Sequence, residues 1–324
     1  MKRILALAVG DAMDVSVDEK NLDRARPYIA GLVGGLAALG RRLGTDFAID
    51  YSQRLHPEVI SGQAFKEKEK GHDLIYAMST TVMQAAGDHV TGRPQAPKSR
   101  PADIPIVFAN VSDPGVEKYV QSGLATGFSA RRSQTADQGF ECLLATVPTL
   151  KEVLILHKKD YDPSDLAMDL VKVCQVTKHR NVKVTRFELD THSDIKKKLS
   201  ALPERKPKEP ARTGIFVLPV DLFFGAAPEI IDLTHRKYIP TFFTVPDWVK
   251  PDLPSALGGY GVPQKKCGER TAEQVNQILW GNAKAGAVKI VDAADHDFEW
   301  VVSGAAAEAL RIALTDISGH PRVI

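Results

Sequence analysis

Short apolar runs rich in β-branched and aromatic residues alternate with longer amphipathic stretches, and this alternation narrows the possible folds more than any other feature. The runs fall at residues 4–9, 47–51, 74–78, 106–109, 153–156, 182–187, 214–218 and 240–245. Helical periodicity occupies residues 22–43, 81–89, 134–145, 164–178, 226–236 and 269–279. Strand, helix, strand, repeated, builds parallel sheets with helices on both faces. The order β-α-β-α-β-α-β occurs once before about residue 125 and again after it, so the expected fold class is α/β with two similar lobes. "YVQSGLATGFSA" (119–130) reads as a hinge crossing or a long surface loop, and "VPDWVKPDLPS" (245–255), with three prolines, as a second crossing.

Composition excludes several classes. A chain of 324 residues, 44% hydrophobic and 25% charged, is long enough for two cores of roughly 150 residues each. Its net charge of +2 and the lack of a basic stripe interleaved with aromatics argue against nucleic acid as a partner. Cys142, Cys174 and Cys267 are odd in number and far apart, which indicates neither a disulfide framework nor a CxxC metal site. The opening "MKRILALAVGD" reads as a first strand, not a signal segment, and no stretch reaches transmembrane length. Neither GxxxxGK[ST] nor GxSxG is present, and the nine histidines show no HExxH pairing. "GLVGGLAALG" (31–40) lies inside a helical pattern, so its glycines suit packing of that helix on a sheet and not a phosphate loop. "DAADHDFEW" (292–300) reads as a solvated loop before a strand, not a hard-metal site. No catalytic residue, cofactor or metal is expected, and the chemistry on offer is capture without conversion.

Candidate ligand groups sit where buried strands end. "IPIVFANVSDPG" turns polar at Asn110, Ser112 and Asp113. "AMSTTVMQAA" places Ser79, Thr80 and Thr81 between a strand and a helix, where hydroxyls and free N–H groups suit a carboxylate. "LPVDLFF" ends a strand at Asp221, which like Asp113 can hold an ammonium group. Each of these polar residues also reads as a helix cap or a turn former. Phe128, Phe223, Phe224, Phe243, Trp248 and Tyr260 cluster at the same places, some as core and some as clamps for an apolar ligand group. Of these, Phe128, Phe223 and Tyr260 are the clamp candidates. Gly258, Gly259 and Gly261 around Tyr260 permit either close backbone approach or a tight turn.

The segments "IPIVFANVSDPG", "ATGFSA", "LKEVLILHKKD", "PVDLFF", "IPTFF", "GGYGVPQKKCGERTAEQVNQILWGNAKAGAVKI" and "FEWVVSGAAAEAL" together resemble the substrate-binding proteins of ABC transporters, in the branch that includes tryptophan-type amino-acid binders. The resemblance runs from Lys2 nearly to the end and keeps the family's order. It implies the type I periplasmic-binding-protein fold: two Rossmann-like lobes joined by three hinge crossings and closing on a small ligand. The expected division is 1–122 plus 248–283 for lobe 1 and 123–247 plus 284–324 for lobe 2, with 256–279 packing on the first lobe and 298–314 on the second. The implied ligand is an amino acid or related apolar or aromatic carboxylate, the implied partner an ABC permease, and the implied location the periplasm. Asp221 matches the strand-end aspartate of the family's second lobe. The alternative is a cytosolic ligand-sensing domain of the same fold, a reading prompted by the missing signal segment.

Overall fold

The structure, a computed structural model, describes residues 1–9, 13–18, 22, 27–54, 71–91, 104–111, 117–131, 135–159, 161–314 and 321–324. The chain divides into two units, 1–131 with 264–293 and 132–263 with 294–324. Its first pass builds β1 (Lys2–Val9), β2 (Met13–Val17), α1 (Pro27–Ala38), β3 (Phe47–Arg54), β4 (Leu74–Ala77), α2 (Thr80–Thr91), β5 (Ile106–Val111), α3 (Glu117–Gln121) and β6 (Ala125–Ser129). The second unit follows with α4 (Ala136–Thr146), β7 (Glu152–His157), α5 (Asp162–Lys178), β8 (Lys183–Glu188), α6 (His192–Ser200), β9 (Thr213–Val217), α7 (Asp221–Gly225), α8 (Ala227–His235), β10 (Thr241–Phe243) and β11 (Gly258–Gly261). The chain returns to the first unit for α9 (Gln264–Leu279) and β12 (Val291–Asp292), then closes the second with β13 (Glu299–Val302), α10 (Gly304–Ala309) and β14 (Arg322–Val323).

Each unit has its own seven-stranded sheet, ordered β12-β6-β5-β4-β1-β3-β2 in the first and β14-β13-β11-β10-β9-β7-β8 in the second. The central strands β3-β1-β4-β5-β6 are parallel throughout, as are β8-β7-β9-β10-β11. Antiparallel pairing enters near the edges, at β2 against β3 and at β13 against β11. Numbered within each unit, both parallel sets run 2-1-3-4-5, so the strand order reverses between β1 and β4 in one unit and between β7 and β9 in the other. At such a reversal the connecting segments leave in opposite directions and open a crevice outside the strand carboxyl ends.

Continuous apolar runs explain why these central strands sit inside. All four residues of β4 are buried, and β7 is buried from Val153 onward, because both faces carry helices. The core of the second unit runs through Phe140, Ile155, Phe216, Phe223, Ile230 and Phe242. In the first unit Leu5, Ile75, Val82, Ile106, Phe108 and Tyr119 form a corresponding cluster.

Several expectations about the connections change. "GLATGFSA" is no hinge loop: it supplies β6, which lies between β5 and β12 in sheet 1. Gly127 has φ +156°, and a Cβ there would lie 2.1 Å from the Phe108 carbonyl oxygen, so the strand is broken up in sequence by a residue that its close approach to β5 demands. "VPDWVKPDLPS" turns through a 3-10 segment, Pro246–Trp248, and the chain stays in the second unit. β11 then pairs with β10, so the crossing follows it at 263/264, where the sequence reading had it at 247/248. The helix of the 256–279 segment does belong to the first unit. The other crossings fall at 131/132 and 293/294, compared with 122/123 and 283/284 as read from sequence.

Gly31 and Gly35 of "GLVGGLAALG" face a helix, not the sheet. A Cβ on Gly31 would lie 1.8 Å from the Lys265 carbonyl oxygen, and one on Gly268 would lie 2.0 Å from that of Tyr28, so α1 and α9 touch backbone to backbone. In "DAADHDFEW" Asp297 is buried and its Oδ2 accepts the Ala294 N–H at 3.0 Å, which makes it a local backbone cap.

Candidate functional site

In the first unit the polar turn after β4 is built as a helix start. Ser79 Oγ accepts the Val82 N–H at 3.2 Å and its carbonyl accepts the Met83 N–H at 2.9 Å, which makes Ser79 the N-cap of α2. Ser79 and Thr80 are buried, while Thr81 is half-buried. All three stand at the carboxyl end of β4, on one side of the strand-order reversal. Asn110 occupies the adjacent strand at the point where the β5–β6 register shifts between Ala109 and Val111. Ser112 and Asp113 lie outside the described residues. Phe128 is fully buried in β6.

In the second unit β9 ends at Val217 and the chain continues through Leu218, Pro219 and Val220 to Asp221, the first residue of α7. Val220, not Asp221, occupies the N-cap position, and its carbonyl accepts the Phe223 and Phe224 N–H groups at 3.0 and 3.1 Å. No side-chain cap bond is made there. Asp221 Oδ2 is buried with no hydrogen-bond partner among the described residues. A carboxylate oxygen desolvated without a partner is costly, and a ligand donor removes that cost. Phe223 is fully buried in the core of this unit, where it anchors the turn that carries Asp221.

His157, which sequence reasoning passed over, ends β7 beside the reversal. It is fully buried; Nε2 sits 2.9 Å from Asp165 Oδ1, and Nδ1 has no partner among the described residues. Burial, reinforced by the Arg186 guanidinium, holds its pKa below the usual imidazole value against the opposing pull of Asp165. The imidazole is therefore neutral at pH 7. Its bond to Asp165 sets the Nε2–H tautomer and leaves Nδ1 as an acceptor. The signal was present in "VLILHKKD", a histidine directly after a buried apolar run.

Tyr260 has a different setting. Its hydroxyl donates to Gln138 Oε1 at 2.5 Å and its ring stacks on Phe298 at 5.6 Å, so the side chain is directed toward α4. Burial pushes the phenol up to about 12. The flanking glycines serve close approach: a Cβ on Gly259 would lie 2.3 Å from the Val245 carbonyl oxygen and one on Gly261 2.4 Å from that of Thr244. Cavities open in both units. The first-unit cavity is bordered by Lys2, Asp73, Pro105 and Leu124, and the second by Leu150 and Val182. Asp73, Pro105, Leu124 and Val182 directly precede strands, so these borders lie at amino-terminal strand ends, opposite the carboxyl-terminal ends that carry Ser79, His157 and Asp221; Tyr260, by contrast, borders the second-unit cavity.

Two seven-stranded α/β units traversed alternately by one chain define a two-lobe binding protein of the periplasmic-binding-protein type. A model of the family described as ABC transporter substrate binding protein matches residues 12–318, and the chain belongs to that family. Among solved structures, a conserved domain protein from Vibrio cholerae aligns with TM-score 0.73 at 20% identity, covering 99% of each chain. An ABC domain from Streptococcus pneumonia in complex with L-Trp aligns with TM-score 0.73 at 17% identity, covering 100% of this chain and 99% of that one. An ABC transporter solute-binding protein from Agrobacterium vitis with bound allitol aligns with TM-score 0.56 at 13% identity, covering 96% of this chain and 98% of that one. No curated protein matches the chain significantly. Identities this low establish the shared fold and leave the ligand to be argued from residues.

Proposed function

We propose that the protein captures a small amino acid, with an apolar or aromatic side chain, for an ABC-type uptake system and releases it unchanged to a permease outside the cytoplasm. The observation that carries the ligand class is Asp221: a carboxylate at the strand-order reversal, first in its helix yet making no side-chain cap bond there, with a buried oxygen that has no hydrogen-bond partner among the described residues. An ammonium group supplies the opposite charge and the missing hydrogen bonds. The ligand carboxylate is assigned to the Ser79–Thr81 turn, because the start of α2 favours negative charge by roughly 0.3–2 kcal/mol. Asn110, the neighbouring strand-end residue, is assigned to the same ligand. Phe128 and Phe223 act by fixing the backbone that carries these groups. The streptococcal relative with bound L-Trp supports the amino-acid reading, and the Agrobacterium relative with bound allitol supplies the competing one. No helix among the described residues is long and apolar enough to cross a membrane, which agrees with a permease as a separate chain.

A thermal-shift screen distinguishes these ligands. A ligand at a hundred times its Kd adds about 2.7 kcal/mol of stability. The proposal expects such a shift from at least one apolar or aromatic amino acid, with the ligand recovered intact after incubation. A shift from sugars or polyols alone overturns the ligand class, and steady conversion to a product overturns the binding role.

A further inference from the structure

We infer that Glu141, Cys174 and His179 form a binding site for a zinc-type divalent metal ion on the second unit, separate from the amino-acid site. One donor atom from each of the three lies within 4.8 Å of the other two. Glu141 projects from α4, Cys174 from the last turns of α5, and His179 is the residue that caps α5. Cys174 and Lys178 are one helical turn apart and so share the face that meets Glu141. His179 leaves the helix with its N–H bonded to the Gln175 carbonyl at 3.0 Å, and its ring packs edge-on against Phe140 at 6.1 Å.

Three independent features point to a ligand. His179 Nε2 is buried and has no hydrogen-bond partner among the described residues. Cys174 is only 5% exposed, yet its Sγ faces a carboxylate oxygen, Glu141 Oε1, at 3.5 Å. Glu141 and His179, with Gln138, Lys178, Tyr260 and Trp300, border a cavity of about 690 Å³ that gives access and room for a water or small ligand in the fourth position. Donors around a tetrahedral zinc stand about 3.3–3.8 Å apart, so the observed spacing closes with roughly an ångström of side-chain movement. A thiolate, an imidazole and one carboxylate suit zinc, cobalt or cadmium, and a single carboxylate is a poor match for calcium or magnesium.

A cation already stands at this carboxylate: Lys178 Nζ lies 2.6 Å from Glu141 Oε1. Its side chain is 62% exposed, so it can swing into solvent when a metal arrives. The lysine therefore competes with the metal, and its removal tightens binding. An ordinary surface ion pair would show no such link.

The test is a cobalt titration of the tag-free, reduced full chain, followed by visible and near-ultraviolet absorption. One equivalent of cobalt should produce tetrahedral bands and a thiolate charge-transfer band, both displaced by one equivalent of zinc. Cys174→Ser should abolish the charge-transfer band, and His179→Gln should weaken binding at least about tenfold, since even outer partners of metal ligands are worth 10–100-fold. Lys178→Met should tighten binding several-fold, and Cys142→Ser should leave the spectrum unchanged. Unfolding curves confirm that each variant is folded. No stoichiometric cobalt binding by the wild-type chain, or a charge-transfer band that survives Cys174→Ser, overturns the site. Amino-acid binding is read separately, so its failure would not imitate either result.

Discussion

Asp221 and His157 carry the residue-scale account, and each makes a different forecast. Asp221→Asn keeps the size and removes the charge. Losing one partner of an enclosed charge pair costs about 2–5 kcal/mol, so affinity for an amino acid should fall at least about thirtyfold in calorimetry. Stability of the ligand-free protein should change little, because Asp221 makes no cap bond to lose. Unchanged affinity with lowered stability would return Asp221 to a structural role. His157 governs pH. Its folded pKa lies below the unfolded value of about 6.5, so the unfolded chain binds more protons between those two values and stability falls with acidification in that window. His235, also held low by burial, adds in the same direction. Chemical denaturation at pH 7 and pH 5 should show the loss, and His157→Gln should reduce it; a pH-independent midpoint would contradict the assignment. At this scale the polar strand ends were legible, because Ser79 and Asp221 interrupt apolar runs. Tyr260 was not, because "GGYG" records glycines needed for contact with the 244–246 backbone and says nothing about which way the ring points.

Elements were readable where burial is two-sided and obscured where spacing or edges intervene. The central strands β1, β4, β7 and β9 declare themselves as apolar runs. β2 does not, since a sheet-edge strand written "MDVSV" carries two polar residues in five, and β6 does not, since Gly127 interrupts it. The α1–α9 contact shows how a glycine-rich helix reads ambiguously: its small residues fit a sheet or a helix, and only the partner's backbone decides. Two substitutions one helical turn apart separate packing from propensity. Gly31→Ala forces a Cβ into the Lys265 carbonyl and should destabilise by about 1–3 kcal/mol. Gly34→Ala has nothing within 4 Å and should stabilise by about 0.5–1 kcal/mol through lower unfolded-state entropy. Urea unfolding of both variants checks the pair, and equal effects would mean that the helix contact is looser than described.

At the scale of the whole molecule the same 2-1-3-4-5 strand order occurs twice, and in each unit the candidate ligand groups stand beside the reversal. The repeat was visible in the sequence as two rounds of strand and helix patterns, and the family was visible as ordered segments. The unit boundaries fall 9, 16 and 10 residues after the crossings read from sequence, because glycine and proline mark both turns and close packing, and β6 and β11 contain the latter kind. The proposed ligand recognition rests on charges that the sequence can place at strand ends but cannot show to be unpartnered; Asp221 Oδ2, buried without a hydrogen-bond partner among the described residues, supplied that step. The most direct test of the central claim is calorimetric titration of the wild-type protein with apolar and aromatic amino acids, each compared with its N-acetyl derivative. The account predicts one-to-one binding of at least one free amino acid, weakened at least about thirtyfold when acetylation removes the ammonium charge. Equal affinity for the free and acetylated forms, or binding confined to ligands without an ammonium group, would contradict it.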